Sequence, residues 1–451
     1  MLTRYTRPEF LALWSEQNKK QMWLGVEIAF LAARVTFGSL SSEAYSAIRT
    51  HAKVDLARMD ELEAEFSHDM IAFVVAVQES LEKAGAGQYA SEFHKLLTSY
   101  DIEDPAMVML LRRAVALDID ALSALEDTLR IKAKEHKWTL MIARTHGQYA
   151  EPDTFGHLLL VYAEAIQRGR ERLQHALSHE LAEAKISGAV GNYPGLKPAM
   201  EAHALDLLGL KPAKAETQIL QRDRFAAVLS AIAVAGATIE QICRTFWEMM
   251  RSEIHELEEP RGTKQRGSSR MAYKKNPIAT EQLQGLARLL RGYQLAALEN
   301  VATPDCRDIS QSSVERHILP DATALLHYMA FKLTKLVGGL AVFPDRMCKN
   351  LDDTHGVWAA QPIRDALMEA GVPYNDAYEY TQHTGFRAAQ VGMPFLDYLR
   401  SKTISEADRR TALDILGEER LRSFFDPKAY IQDGIEHIFS QQNSQCSFTI
   451  K

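Results

Sequence analysis

Apolar residues recur at helical spacing along most of the chain, and proline is missing from its longest stretches. No proline occurs in residues 9–104, 106–151, 153–193, 213–259 or 278–303. Because proline inside a helix costs about 3 kcal/mol, such stretches favour long helices when Ala, Leu, Glu, Gln, Lys and Arg dominate them. The pattern predicts an all-α protein, in which residues 213–259 alone could form a rod of about 70 Å at about 1.5 Å per residue.

Residues 225–243 are nearly all small or apolar. A membrane span of about 20 residues is one interpretation of such a segment. Ser230, Thr238 and Glu240 favour the other interpretation, a helix buried among helices. Long helices that are apolar nearly all round pack in the middle of oligomeric bundles. We therefore expect no membrane span and a bundle shared between chains.

Two changes in composition divide the chain. A polar turn at Asp104-Pro105 opens a new helical run, and after residues 351–354 shorter helices are broken by Gly and Pro. These changes predict three helical domains, at 1–104, 105–352 and 353–451. The middle domain would hold the long-helix bundle.

Charge and cysteine content narrow the possible partners and compartment. The 451 residues carry 52 Lys and Arg against 59 Asp and Glu, a net charge of −7, so no general attraction to nucleic acid or anionic lipid follows. Cys243, Cys306, Cys348 and Cys446 form no Cys-x-x-Cys pair, which indicates neither a disulfide framework nor a metal site. The first residues lack the apolar run of a signal peptide. We expect a cytoplasmic protein without a metal.

The stretch Gly267-Ser268-Ser269-Arg270-Met271-Ala272-Tyr273-Lys274-Lys275-Asn276-Pro277 interrupts two predicted helices with glycine, hydroxyls and three cations. These residues predict a mobile loop. Lys274, Asn276 and the helix N-terminus near Ile278 would form a cradle for a carboxylate. A solvated basic loop is the alternative.

A second polar stretch, at residues 307–316, places hydroxyl groups between Arg307 and Arg316. Ser312 and Arg316 are four residues apart and would share one helical face. Two guanidinium groups, hydroxyls and a helix N-terminus suit a phosphate monoester, and a capped surface helix is the alternative. Taken alone, His146 and His68-Asp69 are ordinary hydrogen-bonding or capping residues.

These stretches together resemble the fumarase/aspartase superfamily, whose signature loop is Gly-Ser-Ser-x-Met-x-x-Lys-x-Asn-Pro. Within it the chain resembles the adenylosuccinate lyase family, through motifs in the family's order between residues 4 and 316. They are Arg4-Tyr5, Ser67-His68-Asp69, Thr98-Ser99-x-Asp101, Arg144-Thr145-His146-Gly147, Lys185-Ile186-Ser187-Gly188-Ala189-Val190-Gly191, Thr217-Gln218 and Arg307-Asp308-Ile309-Ser310-x-Ser312-Ser313-x-Glu315-Arg316.

The resemblance implies a carbon–nitrogen lyase without a cofactor. It would eliminate fumarate from adenylosuccinate, giving AMP, and from the succinyl-carboxamide ribotide of purine biosynthesis. Ser268 would be the base, and His146 would protonate the leaving nitrogen with help from His68. Glu281 would orient His146, and Lys274 would stabilise the carboxylate.

The resemblance also implies a set of binding residues. Thr98, Ser99 and Asn276 would hold the carboxylate with Lys274, and Asp69, Thr145 and Gln218 would contact the substrate. The phosphate would be bound by Arg4, Tyr5, Arg307, Ser312 and Arg316. A homotetramer is implied as well, with each active site built from three chains.

The chain departs from the family pattern at four places. Pro304-Asp305-Cys306 stands where Trp-His-Glu is usual, Leu96 replaces a glycine, Ala272 replaces a proline and Lys275 replaces an arginine. These changes alter the nucleotide site and leave every proposed catalytic group in place. The alternatives are a related carbon–nitrogen lyase that releases fumarate from another succinyl substrate, and a catalytically inactive helical scaffold.

Overall fold

Helices make up most of the chain in the computed structural model, which describes residues 2–264, 266 and 268–444. Gly267 of the predicted loop and Cys446 lie outside the described residues. The helices are α1 (Pro8–Leu13), α2 (Glu16–Thr36), α3 (Ser42–His51), α4 (Leu56–Phe66), α5 (Asp69–Lys83), α6 (Ser99–Glu135), α7 (Phe155–Ser178), α8 (Pro198–Leu207), α9 (Asp223–Met249), α10 (Ile278–Glu299), α11 (Ser310–Gly338), α12 (Pro344–Asp352), α13 (Ala360–Glu369), α14 (Tyr374–Val391), α15 (Phe395–Ser401), α16 (Ala412–Leu416), α17 (Glu418–Ser423) and α18 (Pro427–Ser444). Short 3₁₀ helices lie at Thr3–Tyr5, Gly87–Glu92 and Val357–Ala359. The all-α prediction is confirmed.

Three small two-stranded sheets accompany the helices. Strands β1 (Leu140–Thr145) and β2 (Gln148–Thr154) form an antiparallel hairpin. Strands β3 (Glu183–Ala184) and β4 (Lys211–Pro212) pair in parallel, and β5 (Leu257–Glu258) pairs antiparallel with β6 (Ala341–Val342). Helical periodicity predicted none of these strands.

Helix α6 begins earlier than the proline pattern predicts. It starts at Ser99 and contains Pro105, so the polar turn predicted at Asp104-Pro105 is wrong. A carboxylate oxygen of Asp101 accepts a hydrogen bond from the backbone N–H of Thr98 at 3.0 Å, which stabilises the start of the helix before the proline is reached. Pro105 lies beyond the first turn, where it removes one intrahelical donor, and α6 continues past it to Glu135.

The described chain divides into two compact units. The first unit comprises residues 1–125, 165–241 and 282–333, and the second comprises 126–164, 242–281 and 334–451. The predicted division into three domains stays a prediction.

Helix α9 is the one helix in the described part of the chain that is long and apolar enough to cross a membrane. Within its apolar window, 61% of the residues are buried inside the protein. That burial fits the interpretation of α9 as a helix packed among other helices.

The core of the second unit joins the hairpin to the C-terminal helices. Ile142 of β1 is fully buried in a cluster with Ile363 and Leu367 of α13 and Phe395 and Leu399 of α15. Burying such large side chains contributes about 1.5 to 3 kcal/mol each. The C-terminal helices therefore hold the hairpin in place.

Asp118 is an unusual group within α6. Its side chain is fully buried, and neither carboxylate oxygen has a hydrogen-bond partner among the described residues. Burial raises the pKa of Asp118 well above its ordinary value. The carboxyl group is therefore neutral over a pH range in which it would ionise in the unfolded chain.

This difference makes stability depend on pH. Below the ordinary pKa of an aspartate both states hold the proton, and as the pH rises the unfolded state releases it and is favoured. Asp118→Asn should therefore be stabilised relative to the unchanged protein, with a difference that grows from pH 5 to pH 8. Thermal unfolding followed by circular dichroism measures it, and Asp120→Asn, at an exposed position of the same helix, is the control. A difference independent of pH would contradict the assignment.

Candidate active site

A buried carboxylate organises three polar segments of the first unit. Asp101 is completely buried, and its Oδ1 accepts hydrogen bonds from Lys185 Nζ at 2.7 Å, Ser187 N at 3.0 Å and Gly188 N at 3.1 Å. Its Oδ2 accepts from Thr98 N at 3.0 Å. A buried charge is tolerated when it is paired and hydrogen-bonded in this way. These contacts explain why an aspartate stands two residues after Ser99 in the motif Thr98-Ser99-x-Asp101.

Lys185 extends the network to a further segment. Its ammonium group, also buried, donates to the carbonyl oxygen of Gln218 at 2.8 Å. Gly191 lies so close to this segment that a Cβ there would fall 2.0 Å from the carbonyl oxygen of Glu216, and its φ is +77°. A side chain is excluded at Gly191 on both grounds. The backbone at residues 185–191 therefore packs directly against residues 216–218.

The turn before Thr98 contains two residues with left-handed backbone. His94 has φ +61° and Leu96 has φ +75°. The departure at Leu96 thus occupies a conformation that glycine adopts without a steric penalty. His94 Nδ1 lies 2.6 Å from Oε1 of the buried Glu27, a contact that anchors the turn to α2.

Gln218 and Arg307 are in direct contact. Arg307 Nη1 donates to Gln218 Oε1 at 2.8 Å. The guanidinium group also lies 4.2 Å from the ring centroid of Tyr100, at cation–π distance. The Nε–H of Arg307 is buried and has no partner among the described residues, so it can donate to a ligand.

Asp69 and Arg316 form an ion pair. Arg316 Nη2 lies 2.5 Å from Asp69 Oδ2. Burial favours the neutral form of Asp69, but the hydrogen bond and charge of Arg316 outweigh it and hold the pKa of Asp69 below its ordinary value. Burial and the charge of Asp69 raise the pKa of the neighbouring Glu103 to about 7, and burial lowers that of Lys20 to about 8. Arg316 thus lies in a cluster of interacting acidic and basic side chains.

His68 caps the N-terminus of α5. Its Nδ1 accepts a hydrogen bond from the backbone N–H of Ile71 at 3.4 Å, and the side chain is 45% exposed. Because Nδ1 acts as an acceptor, the neutral ring carries its proton on Nε2. His68 therefore presents an N–H donor to solvent or to a ligand.

Arg4 and Tyr5 lie in the 3₁₀ helix near the N-terminus. The ring of Tyr5 packs edge-to-face with Tyr328 of α11 at 5.6 Å, and the guanidinium carbon of Arg4 lies 5.9 Å from the Tyr5 ring centroid. These contacts attach the N-terminal segment to the helix that also carries Ser312 and Arg316.

His146 lies at the tip of the β1–β2 hairpin in the second unit. His146 and Gly147 are the two turn residues, with φ of +54° and +75°, as a two-residue type I′ turn requires. The side chains of Thr145 and His146 are both exposed. The hairpin therefore presents His146 to solvent or to a partner and away from its own core.

A buried charge supports the hairpin below its tip. Arg144 lies 3.4 Å from Oε1 of Glu256, which is fully buried and also accepts from Asn350 Nδ2 at 2.8 Å. The strand register shifts between Ile142 and Arg144. Such an irregularity redirects side chains, and here it directs Arg144 to its partner.

The predicted loop borders a cavity of the second unit with a volume of about 470 Å³. Lys274, Asn276 and Glu281 line it together with Trp247 and Tyr273. The adjacent Lys275 is paired with Glu258 at 2.8 Å. Of the predicted carboxylate-binding residues, the structure thus brings Lys274 and Asn276 to one cavity.

Ser268 accepts two backbone hydrogen bonds within the loop. Its Oγ lies 3.0 Å from Met271 N and 3.3 Å from Arg270 N. Amide donors favour the negatively charged form of the group that accepts from them. This arrangement supplies the amide dipoles that an alkoxide at Ser268 needs, although Ser268 does not itself line the cavity.

The start of α10 differs from its prediction. Its first amide groups do not face a ligand, because the carboxylate of Glu259 accepts from Ala279 N at 3.0 Å and Thr280 N at 2.7 Å. The helix N-terminus is therefore capped by the protein's own acidic side chain. Glu281 accepts from Trp247 Nε1 at 3.2 Å, and its pairing with His146 stays a prediction.

Sequence reasoning missed three groups that support the first unit's site. Asp101 and Lys185 belonged to recognised motifs without an assigned role, whereas Tyr100 carried no motif signal. Of the predicted residues, ten lie in the first unit and six in the second. The six are Thr145, His146, Ser268, Lys274, Asn276 and Glu281. Within the described residues, no group of three or more His, Cys, Asp or Glu could hold a metal ion.

Comparison with known proteins places the chain in a family. The profile of a family described as "Lyase" matches residues 3–292. The chain is 38% identical to the adenylosuccinate lyase of Bacillus subtilis, over 98% of this chain and 99% of that protein. It is 37% identical to the adenylosuccinate lyase of Thermotoga maritima, over the same shares of the two chains.

Solved structures share the fold. A fumarate lyase from Mesorhizobium sp. BNC1 matches with a TM-score of 0.84 and 24% identity, covering 95% of this chain and 96% of that one. The 3-carboxy-cis,cis-muconate lactonizing enzyme of Pseudomonas putida matches with a TM-score of 0.85 and 24% identity, covering 96% and 95%. From its full-length relatives and its helical fold, the chain belongs to the adenylosuccinate lyase family of the fumarase/aspartase superfamily.

Proposed function

We propose that the protein cleaves adenylosuccinate to AMP and fumarate, and the succinyl-carboxamide ribotide of purine biosynthesis to its amide and fumarate. The observation that carries this proposal is the similarity to adenylosuccinate lyases along nearly the whole chain. Release of fumarate, followed by ultraviolet absorbance, tests it directly. A panel of other succinyl compounds separates this function from a related carbon–nitrogen lyase.

The phosphate end of the substrate would be bound in the first unit. Arg307 offers its unpartnered Nε–H, and Arg316 and Ser312 lie together on α11. Arg4 and Tyr5, on the N-terminal segment, would contact the same group. Charge-assisted hydrogen bonds from guanidinium groups are the strongest contacts available to a phosphate. Asp69, which now pairs with Arg316, and Gln218, which holds Arg307, would contact the neighbouring part of the substrate.

The succinyl end requires stabilisation of a second negative charge. Removing a proton next to a carboxylate gives a dianionic intermediate, which needs fixed donors. Lys274 and Asn276, at the cavity of the second unit, would supply them with the hydroxyls of Thr98 and Ser99.

Proton transfer would use the loop and the two histidines. Ser268 would remove the proton, as an alkoxide stabilised by its two amide contacts. His146 would protonate the leaving nitrogen, since expulsion of an amine anion is too costly. His68 would assist with its Nε2–H, while Glu281 orients His146 and Thr145 contacts the substrate.

The assembly we propose is a cytoplasmic homotetramer. His146 at an exposed hairpin tip and the apolar helix α9 both suit contact with other chains. Each active site would then combine residues of three chains.

The base assignment predicts a defect in turnover without a matching defect in binding. Ser268→Ala should lower kcat by about 100- to 10,000-fold. The Kd for AMP should change by less than about tenfold, because the hydroxyl acts in the transition state. Steady-state kinetics and calorimetry measure the two quantities. Ser269→Ala is the matched control and should be milder; near-normal turnover of Ser268→Ala would remove this residue from the mechanism.

The phosphate assignment predicts weaker nucleotide binding. Arg316→Leu should weaken AMP binding by about 1.5 to 3 kcal/mol, since a charge-assisted contact is lost. Titration calorimetry measures this loss. Arg420→Leu, which removes a surface ion pair with Glu369, should leave AMP affinity unchanged. Equal affinity in the Arg316 variant would show that this arginine does not bind the phosphate.

The shared site predicts complementation between two inactive proteins. His146→Ala and Ser268→Ala chains, dissociated and reassembled together, should recover about a quarter of full activity if the two residues of a site come from different chains. Mass spectrometry verifies the composition of the hybrid tetramers, and fumarate release measures their activity. If both residues came from one chain, every site would keep a lesion and the hybrids would stay inactive.

A further inference from the structure

Tyr100 lies between the proposed phosphate-binding arginine and a buried ion-pair network. It belongs to the first turn of α6 and is 3% exposed. The guanidinium carbon of Arg307 lies 4.2 Å from its ring centroid, and that of Arg222 lies 5.4 Å away. One aromatic ring therefore contacts two cations of different roles.

The hydroxyl of Tyr100 contacts α11. Gln311 Nε2 donates to it at 3.2 Å, and the next residue, Ser312, lines the same small cavity as Tyr100. Burial raises the pKa of Tyr100 to about 12, so the hydroxyl stays neutral at physiological pH. Tyr100 contacts Arg307 through its ring and, through its hydroxyl, the first turn of α11 that carries Gln311 and Ser312.

Arg222, the second cation at the Tyr100 ring, belongs to a buried ion-pair network. Its guanidinium group pairs with both carboxylate oxygens of Asp104, at 2.9 and 3.0 Å, and with Glu315 at 3.0 Å. All three side chains are buried. A buried group with this many contacts cannot shift without leaving charges unpaired. The Tyr100 ring therefore packs against a guanidinium group that is itself fixed by buried ion pairs.

Two atoms of this cluster keep unused hydrogen-bonding capacity. Arg307 Nε and Gln311 Oε1 are buried and unpartnered within the described residues. An unpaired buried donor costs about 1 to 3 kcal/mol, so an anion that accepts from the Nε–H of Arg307 would recover that cost. With one face against Tyr100 and Nη1 on Gln218, Arg307 keeps its Nε–H for an anion.

We propose that Tyr100 is a positioning residue that orients the guanidinium plane of Arg307 and, through Gln311, the adjoining Ser312 toward a phosphate monoester. This inference rests on the proposed function, since it assumes that the ligand carries a phosphate. Its effect is confined to the phosphate end of the substrate. A nucleotide should therefore depend on Tyr100, and the nucleoside without the phosphate should not.

The experiment compares AMP with adenosine by titration calorimetry. Tyr100→Leu removes both contacts and should weaken AMP binding roughly tenfold, with adenosine affinity unchanged. Tyr100→Phe keeps the ring on Arg307 and loses only the hydroxyl contacts, so it should recover part of that loss. With adenylosuccinate, KM should rise by a similar factor in Tyr100→Leu and kcat should stay within about threefold.

The control is Tyr162→Leu, at a buried tyrosine of the second unit whose hydroxyl donates to Thr245 at 2.7 Å. It should leave the AMP-to-adenosine ratio unchanged. Equal losses for AMP and adenosine in Tyr100→Leu, or loss in kcat alone, would overturn the positioning role. If Tyr100→Leu does not fold, Tyr100→Phe decides the test. An unchanged AMP-to-adenosine ratio in Tyr100→Phe would overturn the contribution of the hydroxyl.

The two proposals fail differently. A wild-type protein that prefers AMP to adenosine but releases no fumarate from adenylosuccinate would overturn the proposed reaction, while the Tyr100 comparison with AMP would still stand. A wild-type protein with no preference for AMP would overturn the phosphate site and the role of Tyr100 together.

Discussion

The buried pair of Asp101 and Lys185 is the interaction on which the first unit's site depends. Removing a carboxylate and an ammonium from water costs several kcal/mol for each ion, so the pair is stable only when surrounding groups satisfy both. Those groups are backbone atoms of segments far apart in sequence, around Thr98, Ser187 and Gln218. The need to satisfy two charges therefore brings together loops that no helix could align.

A similar arrangement recurs around Arg222 and, in the second unit, around Glu256. In each case a buried charge contacts a group that supports a residue with a proposed role. Arg222 lies against the ring of Tyr100, which also contacts Arg307, and Glu256 pairs with Arg144 of the hairpin that carries His146. The buried charges of Arg222 and Glu256 are paired with other protein groups, whereas the Nε–H of Arg307 has no partner among the described residues. Rigid supports thus hold the groups that would meet the substrate.

The helical class and the position of the loop were predictable, because proline and apolar spacing report on long helices directly. The hairpin was not, since residues 140–154 contain polar strands with no strict alternation and are stabilised by Ile142 packing on helices over 200 residues later. Motif resemblance predicted roles for Arg307 and Gln218 but not for Tyr100, because the role proposed for Tyr100 depends on two arginines that only the tertiary fold brings to its ring. The cap that Glu259 forms on the N-terminus of α10 could not be predicted either, because the tertiary fold brings these two segments together.

The backbone of His146 has an evolutionary consequence. Its position in the turn needs a left-handed conformation, which Gly and Asn adopt more readily than histidine. Folding alone would thus favour drift toward those residues, and only selection for the imidazole would oppose it. A lineage that lost the activity would be expected to replace this histidine early and to become more stable by doing so. The identity of residue 146 would then indicate whether a member of the family depends on the proton transfer proposed for His146.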